Sequence, residues 1–166
     1  MAELSKRMSG RNAATVRLVT RAYADEWFAH YNYTYVVNTL SGPDSPALIA
    51  AIDPRARRAL ARANRWAARL RQLGAAIPAK LVDLKGVATD KPFKLPKNVR
   101  DTDGMLRAVL DAERTSIRTY QALLDHVRGR DLVTEKWVVE FLGEAMEGEE
   151  ELERLLGRPA PDATGR

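Results

Sequence analysis

Apolar residues recur at alternating spacings of three and four along four stretches of the chain, the mark of helices with one buried face. The first stretch runs from about Asn12 to Leu40. Its stripe is Val16, Val19, Tyr23, Glu26, His30, Tyr33, Val37 and Leu40, so a carboxylate and an imidazole stand in an otherwise apolar line. The second carries Ala59, Ala63, Trp66, Leu70 and Leu73 and ends at Gly74. Asp53 and Pro54 suit an N-cap and first helical position. "PALIAAI" before them also reads as helix, so Pro54 marks either a start or a kink. The third stretch, about Asp103 to Val127, aligns Leu106, Val109, Glu113, Ile117, Tyr120, Leu124 and Val127. The fourth, about Thr134 to Leu156, aligns Val138, Phe141, Ala145, Gly148, Leu152 and Leu155. Gly148 is out of place there, because glycine inside a helix costs about 0.5–1 kcal/mol relative to alanine.

Between the second and third stretches lies "AAIPAKLVDLKGVATDKPFKLPKNVRDTDG", rich in Pro and Gly, with room for one short helix around Lys80–Lys85. A connection of that length spans a bundle from end to end. The expected fold is therefore all-α, a ferritin-like four-helix bundle with one long crossover between helices 2 and 3. The bundle is assigned to residues 12–157. Residues 1–11 read as a flexible basic tail and residues 158–166 as a flexible C-terminal tail.

Composition narrows the function classes. The chain has 166 residues, 45% of them hydrophobic, and suits one domain. It has no cysteine, hence no disulfide framework and no thiolate metal site. No run approaches the roughly 18 apolar residues of a membrane span. A soluble, cytoplasmic protein without a membrane partner is expected. The net charge of +5 is unevenly spread: residues 1–100 carry +11 and residues 101–166 carry −6. Such asymmetry fits either a polyanion-binding face or a basic half packed against an acidic half.

A carboxylate in a core stripe is costly unless it is paired or bound to metal. Glu26 and Glu113 are two such groups. The segments "ADEWFAHYNYTY", "LGAAIPAKL", "AERTSIRTYQALLD" and "ERLLGRPA" resemble the corresponding parts of Dps-like ferritin-related proteins of thermophilic archaea, over roughly Ala24 to Ala160. That resemblance implies a family that forms shells, oxidises iron with peroxide at a di-iron centre and protects DNA. It also implies that Glu26 and Glu113 match the family's single glutamate ligands. The two Glu-x-x-His ligand pairs fall on Ala59 with Arg62 in the second helix and on Ala145 with Gly148 in the fourth. All four ligands are thus replaced, and the family's paired cysteines are missing as well.

Something must then neutralise the two glutamates. Arg62 is long, permanently charged and shaped to fork a carboxylate. It is expected to enter the vacated centre as an ion-pair plug bridging Glu26 and Glu113, in the space opened by Ala145 and Gly148. The competing placement has Arg62 at the stripe's edge, snorkelling outward. His30, one turn from Glu26, is expected in the surrounding shell, bonded to Glu26 or a neighbouring tyrosine. A single metal held by Glu26, His30 and Glu113 is the weaker alternative. His126 has no ligand partner at useful spacing.

Arg55, Arg58, Arg62, Arg65 and Arg69 repeat at three and four along one side of the second helix. Arg55, Arg58, Arg65 and Arg69 make a candidate nucleic-acid ridge. Equally, they can pair with the acidic fourth helix, which carries Glu144, Glu147, Glu149, Glu150, Glu151 and Glu153. The expected function is a Dps-like protein stripped of most di-iron ligands, leaning away from catalysis. It would act in assembly, as a homo-oligomer or a shell, or in binding DNA. The alternatives are an iron oxidase or store rebuilt with Glu144 or Glu147, and an adaptor for another protein such as a paralogous subunit. No cofactor is expected on the first reading, and iron on the second.

Overall fold

The computed structural model describes residues 2–89 and 94–157, with side chains from Asn12 onward. Five helices follow one another: α1 (Ala2–Thr39), α2 (Ser45–Gln72), the short α3 (Leu81–Lys85), α4 (Thr102–Val127) and α5 (Leu132–Leu155). No strand occurs among the described residues, and no helix there is long and apolar enough to cross a membrane.

The four long helices correspond to the four apolar stripes, but the start of the first differs from expectation. The α1 backbone is already helical at Ala2, where a flexible tail through residue 11 was expected. "AELSKRM" contains good helix formers and no proline, so nothing local stops the helix there. Pro54 is not a start: α2 begins at Ser45 and runs through it, so "PALIAAI" is helical as expected. The expected C-terminal tail lies outside the described residues.

Side-chain caps fix two of the starts. Asp101 accepts from Gly104 N at 2.9 Å at the head of α4, and Asp131 accepts from Thr134 N at 3.1 Å at the head of α5. Gly74 ends the α2 turn in the left-handed region at φ 71°.

α1 packs along α2 and α4 along α5, with α1 also against α4. The crossover joins the two pairs and is tied to α1 at its middle and, near its far end, to Ser41 just beyond α1. Thr89 N donates to Asp25 Oδ1 at 2.7 Å, and Ser41 N donates to Val99 O at 3.1 Å. Leu84 of α3 is buried against the bundle and anchors the middle.

The core falls into two apolar clusters. One gathers Val19, Tyr23, Trp66, Tyr120, Leu123 and Phe141. The other gathers Tyr33, Ile52, Met105, Val109 and Leu152. Along α1, α4 and α5 the residues between them are Glu26, Glu113, and Ala145 with Gly148, so a charged layer crosses the middle of the bundle.

Candidate functional site: a buried arginine–glutamate centre

Each long helix contributes to this layer. Glu26 comes from α1, Arg55 and Arg62 from α2, Glu113 from α4, and Gly148 with Ala145 from α5. Glu26, Arg55, Arg62 and Glu113 are each 5% exposed or less.

Arg62 points inward. Its Nε donates to Glu26 Oε1 at 2.9 Å and its Nη1 to Glu144 Oε2 at 3.0 Å. It makes no ion pair with Glu113, so the expected bridge between the two inner glutamates is replaced by two separate pairs. Glu113 belongs to Arg55, whose Nε lies 3.5 Å from Glu113 Oε1. Arg55 Nη2 also donates to Gly148 O and to Glu151 Oε2, each at 2.9 Å, and Nη1 donates to Ala51 O at 2.6 Å. The division has a geometric reason. Arg55 and Arg62 stand seven residues apart on one face of α2, two helical turns, so each meets a different carboxylate.

Two phenols complete the layer. Tyr120 donates to Glu26 Oε1, and Tyr33 donates to Glu113 Oε1 at 3.4 Å. Gly148 now has a spatial role. A Cβ built there would lie 3.3 Å from Glu113 Cδ, so the glycine lets the Glu113 carboxylate rest against the α5 backbone.

Burial pushes the Glu26 carboxyl above its usual range, and the opposing effects of Arg62 and the Tyr120 bond do not bring it back. Glu113 is raised for the same reason, against the pull of Arg62 and Arg55. Burial alone would weaken the Arg62 proton, but Glu26, Tyr120 and Glu113 together hold it far more tightly than usual. The layer thus contains two arginines that stay charged and two carboxylates that take up protons more readily than they would in water.

His30 does not join it. Its Nδ1 lies 2.8 Å from Ala56 O, and the ring stands edge-on to Trp27. The expected bond to Glu26 or a tyrosine is not made, because the small Ala56 side chain lets the imidazole reach the α2 backbone instead. No group of three His, Cys, Asp or Glu among the described residues is placed to hold a metal, so Glu26, His30 and Glu113 do not form the alternative site.

The proposed nucleic-acid ridge is also rearranged. Arg55 is inside the protein. Arg65 forks Glu140 at 2.6 and 2.9 Å. Arg69 forks Asp131 at 2.8 and 2.7 Å and donates to Thr134 Oγ1 at 2.8 Å. With the Arg55–Glu151 and Arg62–Glu144 pairs, these form a ladder in which the α2 number rises as the α5-side number falls, as antiparallel helices require. Of the four ridge arginines, Arg58 alone is exposed and makes no ion pair among the described residues.

Arg55 is the residue of this centre that the sequence pattern misplaces. Its signal was present: Arg55, Ala59 and Arg62 share one face at spacings of four and three. Tyr33 and Tyr120 read as core residues, and only the fold brings their hydroxyls to the glutamates.

The pattern of one sequence family, Ferritin (ferritin-like domain), matches residues 17–160. The chain belongs to that family. A relative of this ferritin-like chain is the DNA protection during starvation protein of Pyrococcus furiosus, 25% identical over 165 residues, covering 96% of this chain and 89% of that one. Solved structures of similar fold include the dodecameric thioferritin of Bacteroides fragilis, a bacterioferritin-related protein, with a TM-score of 0.84, 21% identity and coverage of 95% and 94%. Dps from Thermosynechococcus elongatus matches with a TM-score of 0.83 and 15% identity, covering 94% of this chain and 98% of that one.

Proposed function

We propose that this ferritin-like chain is a Dps-like assembly protein in which two arginines stand where a di-iron centre would be. One observation carries the reading. The Arg62 guanidinium lies 2.9 Å from Glu26 and that of Arg55 lies 3.5 Å from Glu113, so both inner carboxylates already face a fixed cation. An iron ion there would have to displace a guanidinium and would meet its repulsion. The donors also fit iron poorly, since the nearest imidazole, His30, is turned to a backbone carbonyl. The role left to such a chain is structural: a homo-oligomer, by analogy with the dodecameric thioferritin it resembles in fold.

Anaerobic Fe(II) addition followed by peroxide tests the loss of ferroxidase chemistry. The expected result is no ferric absorbance beyond the buffer blank. Stoichiometric oxidation would replace this reading with that of a rebuilt iron oxidase. Light scattering tests the assembly, and a monomer at working concentration would rule out the shell.

DNA binding is a second reading, supported by the name of the Pyrococcus furiosus relative and by the exposed Arg57, Arg58 and Arg71 on α2. Phosphate contacts of this kind weaken steeply as salt rises. A gel shift that fades with salt is the expected outcome, and no shift even at low salt would discard the role. A mixed shell with a paralogous, catalytically competent subunit is compatible with the same fold and is tested by co-expression and mass measurement.

A further inference from the structure

A row of aromatic rings joins the buried centre to the surface. Tyr120, at one end, gives its hydroxyl hydrogen bond to Glu26. Trp66, fully buried, lies 6.2 Å from Tyr120 between ring centroids and 6.2 Å from Trp137. Trp137 is only partly buried, and the Arg65 guanidinium sits 5.0 Å from its ring centre. Core packing accounts for buried rings. It does not account for their order, in which two readily oxidised indoles lead to a phenol that already holds a proton acceptor.

We propose that Trp137, Trp66 and Tyr120 conduct a one-electron hole from the surface to the buried centre, where Tyr120 keeps it as a neutral tyrosyl radical. The oxidant is an oxygen-centred radical in solution, such as hydroxyl radical. It takes one electron from Trp137 and becomes hydroxide. Trp137 is refilled by Trp66, and Trp66 by Tyr120. As Tyr120 gives up its electron, its O–H bond breaks and the proton passes along the existing hydrogen bond to Glu26 Oε1. One oxidant is reduced, one phenolic O–H is lost and one carboxylic O–H is gained.

The surroundings favour this direction. A guanidinium beside Trp137 makes a lasting positive charge on that indole costly, which drives the hole inward. Burial strengthens Glu26 as a base for the phenol proton. When Glu26 becomes neutral, Arg62 retains Glu144 at 3.0 Å, so the guanidinium is not left without a carboxylate. The chain would then protect its surroundings by taking up oxidising equivalents itself, with no metal required.

The absence of cysteine allows a clean test on the full chain. Val133→Cys, on an exposed position one turn before Trp137, gives a unique attachment point for a ruthenium polypyridyl photo-oxidant. Flash oxidation with a sacrificial electron acceptor is followed by electron paramagnetic resonance. The expected result is a tyrosyl signal that disappears in Tyr120→Phe, loses most of its intensity in Trp66→Phe and Trp137→Phe, and is unchanged in Tyr23→Phe. Glu26→Gln should lower its yield, since the phenol proton then lacks a basic acceptor. A tyrosyl signal that survives Tyr120→Phe would overturn the proposal, as would full yield in both tryptophan variants. Should Trp66→Phe fail to fold, Trp137→Phe alone decides, because it alters a partly exposed ring.

Discussion

Arg62 and Glu26 depend on each other because neither has water to fall back on. Removing one partner of a buried pair leaves an uncompensated charge and costs about 3–5 kcal/mol, whereas replacing both by apolar groups of similar size is often neutral or better. Arg62→Met should therefore destabilise the fold by about that amount in urea unfolding. The double variant Arg62→Met with Glu26→Leu should recover most of the loss, with Glu144 free to turn to solvent. If the double variant is as unstable as the single one, the pair is not the unit of stability described above. The two α5 glycines provide a second comparison at this scale. At Gly143 an added Cβ meets nothing within 4 Å, so Gly143→Ala should stabilise by about the usual 0.5–1 kcal/mol. At Gly148 the added Cβ presses on Glu113, which Tyr33 and Arg55 hold in place, so the same change should bring no gain.

At the scale of elements, α2 and α5 are joined more by the reach of arginine side chains than by close backbone packing. The rungs differ in value with burial. Arg65 and Glu140 are 35% and 44% exposed, so Arg65→Ala should cost only about 0.2–1 kcal/mol, measured by chemical unfolding. The four long helices and the crossover were legible in the sequence because burial of one face writes a period of three and four into the chain. Glu26 and Glu113 were legible for the same reason, as charged residues on an apolar line. The partner of Glu113 was not, since Arg62 alone was expected to serve both glutamates. Periodicity places Arg55 and Arg62 on the correct helix face but does not reveal which carboxylate each tip reaches, since that depends on the offset between helices. His30 failed similarly: its position on the stripe was read correctly, but a nearby backbone carbonyl competed successfully for its ring nitrogen. The start of α1 was missed because helix propensity carries the backbone on past the point where the buried stripe ends.

The whole molecule combines two opposing responses to pH. Glu26 and Glu113 are raised, mainly by burial, so the folded protein binds protons there more readily than the unfolded chain. Their unfavourable contribution is present at neutral pH and is relieved as pH falls through the raised values. Asp131 behaves in the opposite sense. Burial alone would raise it, but bonds from Arg69 and Thr134 hold it below its usual value. Its stabilisation is present above the ordinary carboxylate range near about pH 4 and is lost as pH falls through the lowered value. Calorimetry should therefore show no loss of melting temperature on mild acidification and a decline only below about pH 4. In Glu26→Gln, the part of the mild-acid response due to that residue should vanish.

The guanidinia at the centre also bear on a question of supply. A cation built into the polypeptide is present in fixed ratio from the moment of synthesis, whatever the cell's store of metal. On the function proposed above, folding and assembly should proceed alike in metal-starved and metal-replete conditions. A strong chelator should leave the melting temperature and the assembled mass unchanged, and a shift in either would mean that the centre still exchanges its cation with the solution.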